Sequence, residues 1–150
     1  SSNKAFLEGH RNRLELLKVQ DTSKFDLYGI GFNEIKGKIE ALKDYRFSIA
    51  IENGSLKNMI TEKVTDCFLT GTIPIYYGCP NIGDFFDLNG IITFNTKEEL
   101  SDIVNDLHMN GESIYESKRE SMIKNFNTTY DLNWNTDNFY ELYLKELIDG

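Results

Sequence analysis

A strand–helix–strand pattern between residues 45 and 78 is the feature that most constrains how this chain folds. Residues 46–51 predict a strand with large apolar side chains on one face and the small side chains of Ser48 and Ala50 on the other. A small-residue face lets a helix pack closely against the strand. A strand that is covered on both faces is typical of an α/β sheet.

A helix and a second strand complete this pattern. The helix is predicted from about Asn58 to Gly71, where glycine is typical of the position after a helix end. Its buried stripe is predicted to consist of Ile60, Val64, Cys67 and Phe68. Residues 73–77 predict the second strand, although Pro74 cannot donate a hydrogen bond in a sheet. We therefore expect Pro74 either near the start of the strand or where no partner strand is present.

Helices and strands alternate along the rest of the chain, which favours a right-handed, mostly parallel sheet flanked by helices. Upstream we predict helices at residues 7–19 and 33–42 and a strand at residues 25–28. Downstream we predict a helical turn or loop at 81–87, a strand at 90–94, and helices at 96–110, 112–126 and 136–148. The helix at 96–110 begins with the capping-box pattern Thr96-Lys97-Glu98-Glu99.

Composition limits the classes of function. The length of 150 residues fits a single domain, and 40% hydrophobic with 27% charged residues indicates a globular chain. The net charge of -8 argues against a broad nucleic-acid surface, although a few local cations can still bind a small anion. No apolar run approaches membrane-spanning length. Cys67 and Cys79 are interpreted as free thiols, and neither they nor His10 and His108 show the spacing of a metal site.

Polar residues cluster where the first strand of the pattern ends and where its helix begins. Glu52 and Asn53 follow the strand directly, and ligands of open α/β sheets bind beyond the carboxyl ends of the strands. Thr61, Glu62 and Lys63 fall near the start of the predicted helix. A cation in a first turn is mildly unfavourable unless an anion binds there. This crevice is the candidate site for chemistry.

Each of these residues also has an interpretation without function. Lys63 is equally consistent with a solvated lysine beside Glu62, and Glu62 itself suits a helix N-terminus. Asn53 is a common turn residue before glycine. Glu52 is harder to explain in this way, because a carboxylate that emerges from a buried strand needs a partner.

Three blocks of this region, YRFSIAIEN, TEK and GTIPIYYG, resemble the α-1,3/1,4-fucosyltransferases of glycosyltransferase family 10. The family pattern is Y-K-F-x-x-x-x-E-N, Y-x-T-E-K and x-P-V/I-x-x-G, with ten positions from Asn53 to Lys63 here. The resemblance extends more weakly upstream to Arg13 and an Asp-x-Tyr-Gly strand end, and it covers about residues 1–107. Arg11 is the competing match for the family's arginine, although Arg13 fits the following Leu16-Leu17 better.

The resemblance implies the carboxyl-terminal, Rossmann-like half of a GT-B enzyme that binds GDP-fucose and inverts the sugar during transfer to a glycan hydroxyl. The donor-binding residues implied are Arg13, Glu52, Asn53, Thr61, Glu62 and Lys63. Arg13 and Lys63 would neutralise the diphosphate leaving group, so that no obligatory metal or other cofactor is expected. Glu62 would bind sugar hydroxyls.

The resemblance also implies that these residues form one nucleotide-sugar-binding domain, without the amino-terminal acceptor domain and without the first strand of the donor-binding half. We therefore expect no catalytic base here, inactivity of the fragment alone, and contact with the glycan acceptor through the missing domain. The family's tyrosine before Thr-Glu-Lys is Met59 here, so its hydroxyl or stacking contact is absent. There are two alternatives. The enzyme could use GDP-mannose or a UDP-sugar as its donor, or the chain could be a non-catalytic module that binds a nucleotide sugar. In a microbe we expect a cytoplasmic or membrane-peripheral protein.

Overall fold

The structure, a computed structural model, describes residues 45–131. The elements predicted upstream at 7–19, 25–28 and 33–42, and the helix predicted at 136–148, lie outside the described residues. Every structural statement below concerns the described range.

Three parallel strands form the sheet in the order β1-β2-β3. They are β1 (Phe47–Ile51), β2 (Ile73–Tyr77) and β3 (Ile92–Thr93). The register places Ile49 opposite Ile75, and Ile75 opposite Ile92. The predicted α/β fold with a parallel sheet is therefore confirmed, and each of the three strands predicted in this range is present. The third is shorter than its predicted bounds of 90–94, because Leu88–Gly90 forms a 3-10 helix.

Pro74 lies in the central strand at a position where β3 has not yet begun. The N–H of Ile73 donates to the carbonyl of Arg46 on the β1 side, at 2.8 Å. Because neighbouring residues of a strand point their N–H groups to opposite sides, the nitrogen of Pro74 faces the β3 side. Pairing with β3 starts only at Ile75. Both expectations for this proline are met, since it is the second residue of β2 and its partner strand is absent there.

One helix covers each face of the sheet. The helix α1 (Glu62–Leu69) packs on the face that carries Ala50, where Val64 and Phe68 are fully buried. The helix α2 (Lys97–Asp131) packs on the opposite face through Leu100 and Val104. The small-residue face of β1 thus receives a helix as predicted.

Both helices differ from their predicted bounds. The start predicted near Asn58 is wrong, because Asn58 has a left-handed backbone (φ 63°) and α1 begins at Glu62. The predicted break near residue 110 is present as a kink at Asn110 (φ −128°, ψ 17°), but the helix then continues to Asp131. At its start, Glu99 donates its N–H to Thr96 Oγ1 at 3.1 Å and accepts from the N–H of Asn95 at 3.0 Å.

The second part of α2 anchors the loop that precedes β3. Asn125 is 1% exposed; it accepts from the N–H of Asp87 at 2.8 Å and donates to the Asp87 carbonyl at 2.9 Å. This loop includes two short 3-10 helices, Ile82–Asp84 and Leu88–Gly90. Since residues 87–90 lie just before β3, Asn125 is placed at the edge of the sheet where the strands begin.

Candidate functional site

The candidate site lies at the opposite edge, where β1 and β2 end. Glu52 and Asn53 follow β1, and Gly78 follows β2 beside them. The N–H of Glu52 donates to the carbonyl of Tyr77 at 2.9 Å, which extends the pairing one residue past the strand. Topology therefore places the Glu52 backbone at the carboxyl edge of a parallel sheet, where ligands of such sheets bind.

Thr61 links this edge to the start of α1. Its hydroxyl lies 2.8 Å from both carboxylate oxygens of Glu52 and donates to them. The same hydroxyl accepts the N–H of Lys63 at 3.3 Å, so Thr61 is the N-cap of the helix. Because the Thr61 hydroxyl donates its proton to Glu52, its lone pairs point towards the helix N-terminus and can accept the N–H of Lys63. The carboxylate thereby orients the cap.

Lys63 brings a cation to the same place. Its Nζ lies 4.0 Å from Glu52 Oε2, and the Lys63 side chain is 25% exposed whereas that of Glu52 is 2% exposed. The ammonium therefore stands between a buried carboxylate and the solvent. An anion that arrives at the amino terminus of α1 would meet both this ammonium and the positive end of the helix dipole.

Burial sets the protonation behaviour of the site. Desolvation raises the pKa of Glu52 above its ordinary value of 4.5, and the Thr61 hydrogen bond and the Lys63 charge offset part of that rise. Burial and the nearby Glu52 charge likewise raise the pKa of the Tyr76 hydroxyl. Tyr76 is consequently neutral, and its hydroxyl accepts the N–H of Cys79 at 3.0 Å.

A pair of asparagines fixes the segment that connects β1 to α1. The N–H of Asn58 donates to Asn81 Oδ1 at 2.8 Å, and Asn81 Nδ2 donates to Asn58 Oδ1 at 2.7 Å. Asn81 also accepts the thiol of Cys79 at 3.1 Å and donates to Asp84 at 3.1 Å. The left-handed turn at Asn58 is thus held from the loop after β2, just ahead of Thr61.

The structure brings together three of the predicted site residues, namely Glu52, Thr61 and Lys63. Asn53 is exposed at the end of β1, and Glu62 is exposed as the first residue of α1. Arg13 lies outside the described residues. The role of each of these residues in donor binding stays a prediction.

Sequence reasoning missed the residues that hold the site from β2 and the loop after it. Gly78 lies so close to Glu52 and Tyr76 that a Cβ there would overlap Glu52 Cγ and lie 2.8 Å from Tyr76 Oη. The sequence predicts Asn81 only as part of a turn or loop. The signal for Gly78 was available, because parallel pairing of the two predicted strands places the residue after Tyr77 next to the residue after Ile51.

Two further properties bear on the possible chemistry. Cys67 and Cys79 are both buried free thiols, as predicted, and burial raises the pKa of the Cys79 thiol. Within residues 45–131 no group of three or more His, Cys, Asp or Glu side chains is arranged to hold a metal ion. In the same range no helix has the length and apolar character needed to cross a membrane.

Comparison with known proteins gives a family match over most of the chain. The sequence model described as "Glycosyltransferase family 10 (fucosyltransferase) C-term" matches residues 4–138. The match continues past residue 107, where the resemblance noted in the sequence ends. The recognition of this family from the three sequence blocks is confirmed.

Individual relatives match over shorter stretches. The chain is 33% identical over 82 residues to an alpha-(1,3)-fucosyltransferase FucT of Helicobacter pylori, covering 53% of this chain and 17% of that protein. It is 39% identical over 83 residues to a putative fucosyltransferase-like protein of Arabidopsis thaliana, covering 51% of this chain and 16% of that protein. The aligned part is thus about a sixth of the length of these relatives.

Solved structures of similar fold support the same relationship. A crystal structure of an alpha1,3-fucosyltransferase with GDP is 29% identical with a TM-score of 0.52, over 65% of this chain and 28% of that chain. A crystal structure of an alpha1,3-fucosyltransferase with GDP-fucose has a TM-score of 0.51 over 72% of this chain and 37% of that chain. Its 24% identity makes it a match of fold.

Proposed function

The chain belongs to glycosyltransferase family 10, and from this premise we propose that it is the donor-binding part of an enzyme that transfers fucose from GDP-fucose to a glycan hydroxyl with inversion. The observation that carries the proposal is the contact between β1 and the start of α1. There the buried Glu52 holds the Thr61 cap and lies beside the Lys63 ammonium.

This contact suits a diphosphate. The amino terminus of α1 offers backbone N–H groups and a positive dipole end, and Lys63 adds a full charge next to them. Charge-assisted hydrogen bonds to phosphate are about twice as strong as neutral ones. Two crystal structures of similar fold are described as an alpha1,3-fucosyltransferase with GDP and with GDP-fucose, which makes a guanosine diphosphate the first ligand to test.

In the proposed reaction the donor site stabilises the leaving group. As the bond from fucose to the diphosphate breaks, negative charge grows on the diphosphate oxygens, and Lys63 together with Arg13 would neutralise it. We propose that this removes the need for a metal ion. The base that deprotonates the acceptor hydroxyl would come from another part of the protein.

The alternatives use the same geometry. A GT-B transferase with GDP-mannose or a UDP-sugar would keep the diphosphate contacts and change those to the base and the sugar. A non-catalytic module would bind the nucleotide sugar without transferring it. Met59, which stands where the family pattern has tyrosine, is the described position most relevant to a changed donor preference.

Calorimetric titration of the 150-residue chain with GDP, GDP-fucose, GDP-mannose and UDP tests the proposal. We expect GDP and GDP-fucose to bind more tightly than UDP, and binding to persist in EDTA. Tighter binding of UDP than of GDP would favour a UDP-sugar as the donor. A folded sample that binds none of the four would refute the donor site in this chain.

A pair of lysine variants makes the test specific. Lys63→Ala should weaken GDP binding by about 1–3 kcal/mol, because it removes a charge-assisted hydrogen bond to phosphate. Lys124→Ala is the control, since Lys124 is 68% exposed on the second part of α2, near the opposite edge of the sheet. Equal loss in both variants would indicate a general charge effect and would contradict a phosphate contact at Lys63.

A further inference from the structure

Glu52 is the buried carboxyl group of the candidate site. Its side chain is 2% exposed, and Gly78 packs against its Cβ and Cγ. A carboxylate in this position cannot turn to solvent without displacing the end of β2. Glu52 therefore acts through the groups that its carboxylate contacts.

Those groups belong to the start of α1. Both carboxylate oxygens of Glu52 accept a hydrogen bond from the Thr61 hydroxyl, and Glu52 Oε2 is 4.0 Å from Lys63 Nζ. Thr61 in turn accepts the N–H of Lys63. Glu52 is thus connected to Lys63 twice, by charge at the ammonium and by a hydrogen-bond chain at the backbone.

We propose that Glu52 is a positioning residue that holds the N-cap and the lysine of α1 ready for the diphosphate, and that diphosphate binding is coupled to uptake of a proton by Glu52. The proposal rests on the proposed function for the identity of the ligand. The arrangement assigns Glu52 no direct contact with the sugar or the nucleotide.

The coupling follows from the charges that face Glu52. Lys63 is the cation beside it, while Glu62 on α1 and the diphosphate itself are anionic. The Tyr76 hydroxyl and the Cys79 thiol on the β2 side also face it, and burial keeps both neutral. When a diphosphate draws the ammonium outward, Glu52 loses its counter-ion and gains a negative neighbour. Both changes favour the protonated carboxyl, which still accepts the Thr61 hydroxyl.

The first experiment needs no ligand. Carbon-13 NMR of the Glu52 carboxyl gives its titration midpoint in the wild type and in Lys63→Met. We expect a midpoint above 4.5 in the wild type and a further rise in the variant, because the variant lacks the stabilising charge. An identical midpoint in the two proteins would overturn the coupling between Glu52 and Lys63.

The second experiment measures GDP-fucose binding between pH 5 and 8 by calorimetry in buffers of different ionisation enthalpy. Each phosphorus of GDP-fucose carries a single ionised oxygen in this range, so the ligand contributes no proton of its own. We expect proton uptake by the wild type and tighter binding as the pH falls, by up to about tenfold per pH unit. Glu52→Gln should bind with neither proton uptake nor this slope, and Glu120→Gln, an exposed charge control on α2, should behave as the wild type.

Glu52→Ala separates positioning from direct contact. Loss of the group that orients the cap should weaken GDP and GDP-fucose by the same factor, about tenfold. A direct contact with fucose would weaken GDP-fucose alone and would overturn the positioning role. Proton uptake that persists in Glu52→Gln would also overturn the proposal. If the wild type binds neither ligand, the proposed function and the ligand-linked step both fail, while the carboxyl titration still decides whether Glu52 and Lys63 are coupled.

Discussion

Replacement of Gly78 by alanine should damage both the stability of the fold and the candidate site. The new Cβ would overlap Glu52 Cγ, and it would lie 2.7 Å from Glu52 Cβ and 2.8 Å from Tyr76 Oη. Neither neighbour can move easily, because Glu52 and Tyr76 are buried and the Glu52 Cβ is attached to the end of β1. Overpacking of this kind costs about 1–3 kcal/mol. For a chain of this size that corresponds to a fall in Tm of about 2–12 °C.

The same substitution should weaken GDP binding by about tenfold, because the group displaced is the carboxylate that orients Thr61 and Lys63. Thermal unfolding by circular dichroism measures the first effect, and calorimetric titration with GDP measures the second. Both are measured at a temperature and concentration where each variant is folded.

Two other glycines provide matched controls for Gly78→Ala. At Gly90 a Cβ would lie 2.6 Å from Asn125 Nδ2 and 2.9 Å from the backbone N of Met122, so Gly90→Ala should lower Tm by a similar amount. Gly90 lies at the opposite edge of the sheet, however, and GDP affinity should stay within about twofold, given near-additivity between distant sites. Gly54 has nothing within 4 Å of a Cβ, so Gly54→Ala should leave the free energy of unfolding unchanged or raise it by about 0.4–1 kcal/mol.

Two outcomes would refute this reasoning about Gly78. If Gly78→Ala melts like Gly54→Ala, the close approach to Glu52 does not exist in solution. If Gly78→Ala and Gly90→Ala weaken GDP binding equally, the loss reflects general instability, and Glu52 has no special link to the ligand.

Three further predictions address other parts of the molecule. Glu52→Gln should gain stability relative to the wild type as the pH rises above 4.5, because a pKa raised in the folded state means that Glu52 ionises first in the unfolded chain. Urea unfolding of both proteins at pH 4 and pH 7 measures the difference in their free energies of unfolding, and the same difference at both pH values would contradict the prediction. Asn125→Ala should lower the free energy of unfolding by about 1–3 kcal/mol, because the loop before β3 loses two buried hydrogen bonds. Asn127 is exposed on the same helix, and Asn127→Ala should change stability by less than about 0.5 kcal/mol. Comparable losses in both variants would show that the hydrogen bonds of the Asn125 side chain contribute nothing. Asn81→Ala should speed amide hydrogen exchange in residues 54–60 while leaving α2 unchanged, and unchanged exchange in that segment would contradict a role for this pair in holding it.

The strands and the helix stripes were predictable because their signals are local and periodic. The alternation in β1 and the 3.6-residue spacing in α1 are printed in the sequence, and each matches one buried face. The start of α1 was not predictable in this way. Asn58 is a good N-cap residue by local rules, but its conformation is set by Asn81, 23 positions downstream. A tertiary contact therefore overrides the local preference.

The sequence was enough to predict at which edge of the sheet the candidate site lies, but not the contacts within it. The rule that ligands bind beyond the carboxyl ends of parallel strands is enough to select Glu52 and the start of α1 from the sequence. The rule could not reveal that Thr61 bridges the two, because a hydroxyl that caps a helix and also binds a carboxylate leaves no periodic trace. The approach of Gly78 required the register between β1 and β2, which depends on strand pairing.

The energetic cost of Glu52 is itself an argument for its role. Burial raises the pKa of this carboxyl, which means that its ionised form is disfavoured by the fold at neutral pH. Replacement of buried charges by neutral groups of similar shape is often neutral or stabilising, so a fold shaped by stability alone has no need of this residue. The buried polar anchor at the other edge, Asn125, carries no charge and satisfies two backbone groups. The costly group thus stands at the edge where the strands end, next to the half-buried ammonium of Lys63, and the stabilising one stands where they begin. A role in ligand binding explains this asymmetry, since strain and buried charge are tolerated where they position a ligand.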